Sequence, residues 1–261
     1  MSGQLEGQVA IVTGAAKGIG EAVARLFARE GAHTLITDID EEAGESLAKE
    51  LPGSRFFRVD VAVETDVAAA VDYAVATFGR LDIMVNNAGL IGAVGPIETI
   101  SAEQWRSTIG ILLDGPFYGI KHAARVMLPR RSGRILCTAS TAALASGLGA
   151  HVYTTAKHGL IGLVKSAAVD LAPMGICVNA VAPGSTVTPL AVAYYGDVQK
   201  ATEAVAAESP VGEAILPEDI AQGFLFLAGE TGRKITGHTI LIDGGVLATG
   251  NGSARRFFAR A

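Results

Sequence analysis

The chain has 261 residues with 21 lysines and arginines against 26 aspartates and glutamates, a net charge of -5, and 49% hydrophobic but only 6% aromatic residues. That balance argues against an electrostatic nucleic-acid binder and against a disordered chain, and the length suits one large α/β domain. Apolar runs are broken by Gly, Pro or charge well short of the about 20 residues a bilayer-spanning helix needs, and the first residues have neither a basic nor an apolar leader character, so a cytoplasmic protein without membrane contact is expected. Cys137 and Cys177 sit in apolar runs and read as core residues on strands. Two cysteines are too few for a zinc site, and no metal is expected.

The predicted elements alternate along the chain. Strands are expected at Val9–Thr13, His33–Thr37, Arg55–Arg58, Ile83–Asn86, Arg134–Thr138, Ile176–Val181 and Thr239–Ile242. Between them, amphipathic patterns predict helices at Gly20–Glu30, Glu41–Glu50, Glu64–Phe78, Ala102–Leu128, Ala156–Ala172 and Pro217–Ala228. This alternation predicts an α/β fold with a parallel sheet covered by helices on both faces. No linker or composition shift divides the chain, so residues 1–261 are read as one domain. Residues 185–212 have no clean strand and contain Pro189, Tyr194, Tyr195 and Pro210, the pattern of a lid over a pocket. A short basic tail with Arg255, Arg256 and Arg260 follows the last strand and reads as a solvated end.

The first strand runs into Gly14-Ala-Ala-Lys17-Gly18-Ile19-Gly20 and then a helix. Glycines there let the backbone approach a pyrophosphate, which the free N–H groups and dipole of the helix N-terminus bind. The spacing differs from that of a P-loop, because Lys17 precedes the second glycine. Asp38 ends the second strand, where a carboxylate accepts hydrogen bonds from ribose hydroxyls and repels a 2′-phosphate. This favours NAD over NADP; Lys17 pulls the other way, as a cation able to meet that phosphate. Asp40 fits the role of cap for the following helix better than Asp38 does.

Tyr153 and Lys157 are four residues apart, which places both on one helix face. An ammonium beside the phenol is expected to lower its pKa from about 10, preparing it to take the proton of an alcohol or return it to a ketone. Ser140, at the end of the fifth strand, supplies a hydroxyl for the substrate oxygen. Each of these patterns is common in isolation, and their meaning comes from their combination.

Taken in order, Thr13-Gly14-x-x-x-Gly18-x-Gly20, Asp60-Val61, Asn86-Asn87-Ala88-Gly89, Ser140, Tyr153-x-x-x-Lys157, Pro183-Gly184 and Asp243-Gly244-Gly245 resemble the short-chain dehydrogenase/reductases from Leu5 to about Val246. The resemblance implies a Rossmann-type, doubly wound sheet of seven strands in a single domain. It implies that Asp60 and Val61 flank the adenine, and that Asn87, Ala88 and Gly89 support the sheet beside the cofactor. Tyr153 would be the acid/base, Lys157 the partner of both the nicotinamide ribose and the tyrosine, and Ser140 the group orienting the substrate. Pro183, Gly184 and Thr188 would place the carboxamide, with Thr186 on the same cofactor side. The family also implies packing of the long central helices into a homotetramer, less often a homodimer.

One family position departs from the pattern. An asparagine expected on the long central helix, where it steadies a water that links the lysine to solvent, is replaced by Leu112. Asp114 lies about 200° around the helix and does not substitute for it, and Pro116 predicts a kink nearby. A non-catalytic nucleotide-binding protein would explain Leu112 and is one alternative to an alcohol dehydrogenase; a ketone or 3-oxoacyl reductase, which accounts for all but Asp38, is another. The expected substrate side, Leu90, Ile91, Ala142, Ala143, Leu144, Val152, Leu190, Tyr194 and Tyr195, is almost wholly apolar. It implies a small hydrophobic alcohol or ketone. The run from Lys121 to Met127 and the phrase from Ala93 to Ile97 resemble the branch acting on plant-type secondary metabolites, which implies a cyclic or terpenoid secondary alcohol.

Overall fold

A computed structural model describes residues 3–249, and the basic tail lies outside the described residues. Seven parallel strands form one sheet in the order β3-β2-β1-β4-β5-β6-β7. They span Val9–Thr13 (β1), His33–Asp38 (β2), Arg55–Arg58 (β3), Ile83–Asn86 (β4), Gly133–Thr138 (β5), Ile176–Pro183 (β6) and Thr239–Ile242 (β7). The order reverses between β1 and β4, so connections leave the sheet in opposite directions there. A crevice therefore opens outside the carboxyl ends of these two strands.

Alternation along β1 and β2 sorts the core into two layers. Val9, Ile11 and Leu35 join α3 (Glu64–Phe78), α5 (Gly115–Met127) and α6 (His151–Leu171) on one face through Val71, Ile120, Met127, Leu160 and Val164. Ala10, Val12 and Ile36 join α1 (Gly18–Arg29), α2 (Glu41–Glu50) and α9 (Pro217–Ala228) on the other through Phe27, Leu47 and Phe224. Both faces of the central strands are thus apolar, as a helix-covered parallel sheet requires. Cys137 is buried, whereas Cys177 is only half-buried and donates through sulfur to the Arg233 carbonyl (3.6 Å).

The long central helix expected at Ala102–Leu128 is two helices. α4 (Ala102–Ile109) starts at a Ser101–Gln104 capping box and passes into a π-helical turn at Gly110–Asp114, and α5 follows. Pro116 has no N–H to give the Leu112 carbonyl, and the chain widens, with Gly115 N–H reaching back five residues to the Gly110 carbonyl. Residues 185–212, expected as a lid, contain two helices, α7 (Pro189–Tyr195) and α8 (Val198–Glu208). The last described element is α10 (Val246–Thr249).

Helix α5 approaches β4 so closely that a Cβ on Gly119 would overlap the Oδ1 atom of Asn86. Asn86 is buried and donates to Cys137 Sγ (3.7 Å), so it has little room to yield. Alanine in an open helix site gains up to about 1 kcal/mol over glycine. At Gly119 the overlap dominates, and Gly119→Ala is expected to lose about 1–3 kcal/mol of stability in urea unfolding.

Candidate active site

The site begins at the glycine turn. Gly14 adopts φ +61°, a left-handed conformation, and its missing side chain lets the turn lie against the end of β4, where a Cβ would stand 2.6 Å from Ala88 Cα. Gly20 likewise packs on the Gly14 carbonyl. Lys17 at the N-cap of α1 makes no side-chain capping bond, so the first-turn N–H groups face the crevice uncapped by it. Gly18 meets Pro189 and Thr188, which brings the start of α7 onto the turn. Thr188 caps α7, accepting from Ala191 N–H (3.4 Å), and Thr186 donates to the Gly184 carbonyl (3.0 Å).

Asp38 holds the turn in place. Its Oδ2 accepts from Ala16 N–H and its Oδ1 from Asp40 N–H, each at 3.0 Å. Asp40 is the N-cap of α2, accepting from Ala43 N–H (3.2 Å), as its position in the sequence predicts. Lys17 Nζ lies 3.2 Å from Asp40 Oδ2. The Ala43 N–H and then the lysine hold the Asp40 carboxyl below the usual carboxylate range. Asp60 accepts from Ala62 N–H (3.0 Å), and Val61 beside it is buried.

Asn87 ties three strand ends together. Its side-chain amide donates to the carbonyls of Thr13 (3.0 Å) and Gly14 (3.2 Å), and its Oδ1 accepts from Thr138 Oγ1 (2.9 Å). Thr13 Oγ1 in turn accepts from Asn87 and Ala88 N–H. Thr138 also offers its carbonyl to Lys157 Nζ at 2.6 Å. Thr138, expected only as the last residue of a strand, holds both the amide and the lysine. Its only sequence signal is its place at the end of a central strand.

Lys157 is 4% exposed, and its Nζ stands 5.6 Å from the centroid of the Tyr153 ring, so the four-residue spacing does align the two side chains. The electrostatics differ from the expectation. Burial pushes the Tyr153 phenol above its ordinary value, and the neighbouring Ser140 hydroxyl opposes this. The lysine spends its hydrogen bond on Thr138 and is itself pushed down to about 8 by burial. Ser140 Oγ accepts from Ala142 N–H (3.1 Å), which turns the chain away after β5. Leu112 is fully buried, and a Cβ on Gly89 would stand 3.2 Å from it.

Of the apolar residues expected on the substrate side, Ala142, Ala143 and Val152 are buried in the fold. Leu90, Ile91, Leu144, Leu190, Tyr194 and Tyr195 keep open surface. A cavity of about 650 Å³ lies beside the start of α6 and is lined by Ile97, Trp105, Ser146, His151 and Thr155 among others. It does not reach Ser140, Tyr153 or Lys157. Among the described residues no group of three or more His, Cys, Asp or Glu is placed to hold a metal ion, and no helix is long and apolar enough to cross a membrane.

A glycine turn at a strand-order reversal, with a serine, a tyrosine and a lysine gathered beyond the end of β5, is the arrangement of a dinucleotide-dependent oxidoreductase. A family model described as enoyl-(acyl carrier protein) reductase matches residues 14–247. The chain is 45% identical to momilactone A synthase of Oryza sativa subsp. japonica over 249 residues, covering 93% of this chain and 91% of that one. It is 41% identical to the mitochondrial borneol dehydrogenase of Lavandula x intermedia (93% and 92% covered) and 38% identical to xanthoxin dehydrogenase of Arabidopsis thaliana (95% and 91%). The chain belongs to the short-chain dehydrogenase/reductase family.

The buried lysine makes stability depend on pH. Its pKa falls from 10.5 in the unfolded chain to about 8 in the fold, so the unfolded state holds the extra proton between those values. Stability from this group is therefore present above pH 10.5 and lost as pH falls to 8, a swing on the order of 3 kcal/mol. Lys157→Met removes the swing. In urea unfolding, the stability of the variant relative to wild type should be highest below pH 8 and decline steadily toward pH 10.5.

Proposed function

We propose that the protein is an NAD-dependent dehydrogenase of a hydrophobic secondary alcohol, with Tyr153 as acid/base. The observation that carries this reading is the set formed by Ser140, Tyr153 and Lys157 at the carboxyl edge of β5, beside a crevice whose glycine turn is held by Asp38. The residues fit a dinucleotide. The turn of Gly14, Gly18 and Gly20 leaves backbone room for a pyrophosphate, and the Asp38 carboxylate stands fixed where ribose hydroxyls would donate. Lys157 would donate to the nicotinamide ribose, and Thr186 and Thr188 would hold the carboxamide. Bound there, a nicotinamide supplies the acceptor for the hydride of the carbinol carbon.

The protein's own part in the reaction is proton transfer and positioning. Ser140 orients the alcohol oxygen, and Tyr153 as phenolate takes the hydroxyl proton as the carbonyl forms. Because burial raises the phenol's pKa, oxidation is expected to quicken as pH rises, and ketone reduction to slow. Leu112 removes a polar side chain from the helix but leaves those three groups in place, which favours an active enzyme over a non-catalytic one.

The substrate reading rests on the apolar surface left open at Ile91, Leu144 and Leu190, without lysine or arginine among those positions. Relatives named for borneol and xanthoxin, both terpenoids, support a cyclic or terpenoid alcohol for this chain. Assembly into a homotetramer is supported by large exposed apolar side chains on the same helices, Trp105 on α4, Phe117 on α5 and Val169 on α6.

NADH appearance with cyclic, terpenoid, aliphatic and steroidal secondary alcohols, repeated with NADP, tests the reading. Turnover is expected with NAD and a cyclic or terpenoid alcohol. Tyr153→Phe should cost about 10²–10⁴-fold in kcat with NADH binding retained. Full activity in that variant would remove Tyr153 from its role. Silence across the panel with tight NADH binding would move the weight to the non-catalytic alternative.

A further inference from the structure

We propose that Asp40 is a specificity-determining residue: by pairing with Lys17, it keeps the only cation of the glycine turn from serving as a partner for a 2′-phosphate. The inference rests on the NAD reading of the crevice and adds a second residue to it. Asp38 alone would repel a 2′-phosphate, but Lys17 on the same turn would attract one. The pairing removes that conflict.

The geometry gives each carboxylate oxygen of Asp40 one task. Oδ1 accepts from Ala43 N–H and caps α2, while Oδ2 faces Lys17 Nζ at 3.2 Å. The backbone N–H of Asp40 donates to Asp38 Oδ1, and Asp38 Oδ2 accepts from Ala16 N–H, next to Lys17. The pair is therefore not two loose surface chains. Its carboxylate is anchored by a helix cap, and the ordering cost falls on the lysine alone, which lessens the usual weakness of exposed ion pairs. A second cation at this end is occupied in the same way. Arg58 stands in register with Asp38 on the adjacent strand, and its Nε lies 3.2 Å from Glu41 Oε1. A 2′-phosphate arriving here would meet one fixed carboxylate and two cations already paired, whereas ribose hydroxyls need only the carboxylate.

Asp40→Asn separates charge from structure, because asparagine caps helices as well as aspartate does but does not hold the ammonium. Dissociation constants for NAD and NADP, measured by calorimetry on the whole chain, need no substrate. Compared with Asp38→Ser, the double variant Asp38→Ser/Asp40→Asn is expected to bind NADP about fivefold more tightly, with NAD shifting by less. The gain should fade toward about 1 M salt, where charges are screened within about 3 Å. It should vanish when Lys17→Gln is added. Asp40→Asn alone should move the NADP-to-NAD affinity ratio in the same direction by a smaller factor, so the test does not depend on Asp38→Ser folding. Equal tightening of both cofactors, no tightening, or a gain that survives Lys17→Gln would overturn the proposal. Wild-type protein that binds NADP more tightly than NAD would instead overturn the cofactor reading itself.

Discussion

The carboxyl ends of parallel strands leave carbonyl groups with no strand partner, and where they are buried each needs a donor. At the centre of this sheet the donors are few. The Asn87 amide serves Thr13 and Gly14, and the Lys157 ammonium serves Thr138. Meeting this demand places the site. Asn87 binds the glycine turn to β4 and β5, and Thr138, which completes that link through its hydroxyl, turns its carbonyl to the lysine. The glycine turn and Lys157 are thus joined through the Asn87 and Thr138 side chains and the ends of three strands.

The same arrangement sets stability against function. An ammonium 4% exposed, with one carbonyl as its hydrogen-bond partner, is a costly thing to bury, and its depressed pKa records the cost. A packed methionine would suit the fold better. A lysine there agrees with the role proposed for it, as ionisable groups in crevices are shifted most where chemistry is done. At the other end, negative charge is handled by distribution. Asp38 is committed to the backbone N–H groups of Ala16 and Asp40, and the nearby cations are met by Asp40 and Glu41, so this end of the crevice carries a carboxylate without an idle positive partner.

The strand pattern was legible because both faces of a helix-covered sheet must be apolar, and β1 and β4 are nearly continuous apolar runs. The glycine turn and the Tyr153–Lys157 spacing were legible because each is local. A turn of a few residues and two side chains one helical turn apart need no tertiary knowledge. The break of the long helix was half legible. Pro116 announced a disturbance, but its form, a π turn with Leu112 buried near Gly89, depends on how α4 and α5 pack on the sheet and α6. Thr138 was not legible, since a threonine at a strand end acquires a role only when Asn87 and Lys157 arrive from distant segments.

By itself the sequence determined the alternation of strands and helices, the place of the glycine turn, the identity of the helix cap at Asp40 and the alignment of Tyr153 with Lys157. All of these follow from spacing and backbone chemistry within a few residues. The tertiary structure decided where the lysine spends its hydrogen bond and which way burial moves the tyrosine. It also decided which expected lining residues, such as Ala142 and Val152, are sealed in the core, and that Lys17 is met by Asp40. Those outcomes depend on desolvation and on contacts between residues tens of positions apart, and no local pattern carries them.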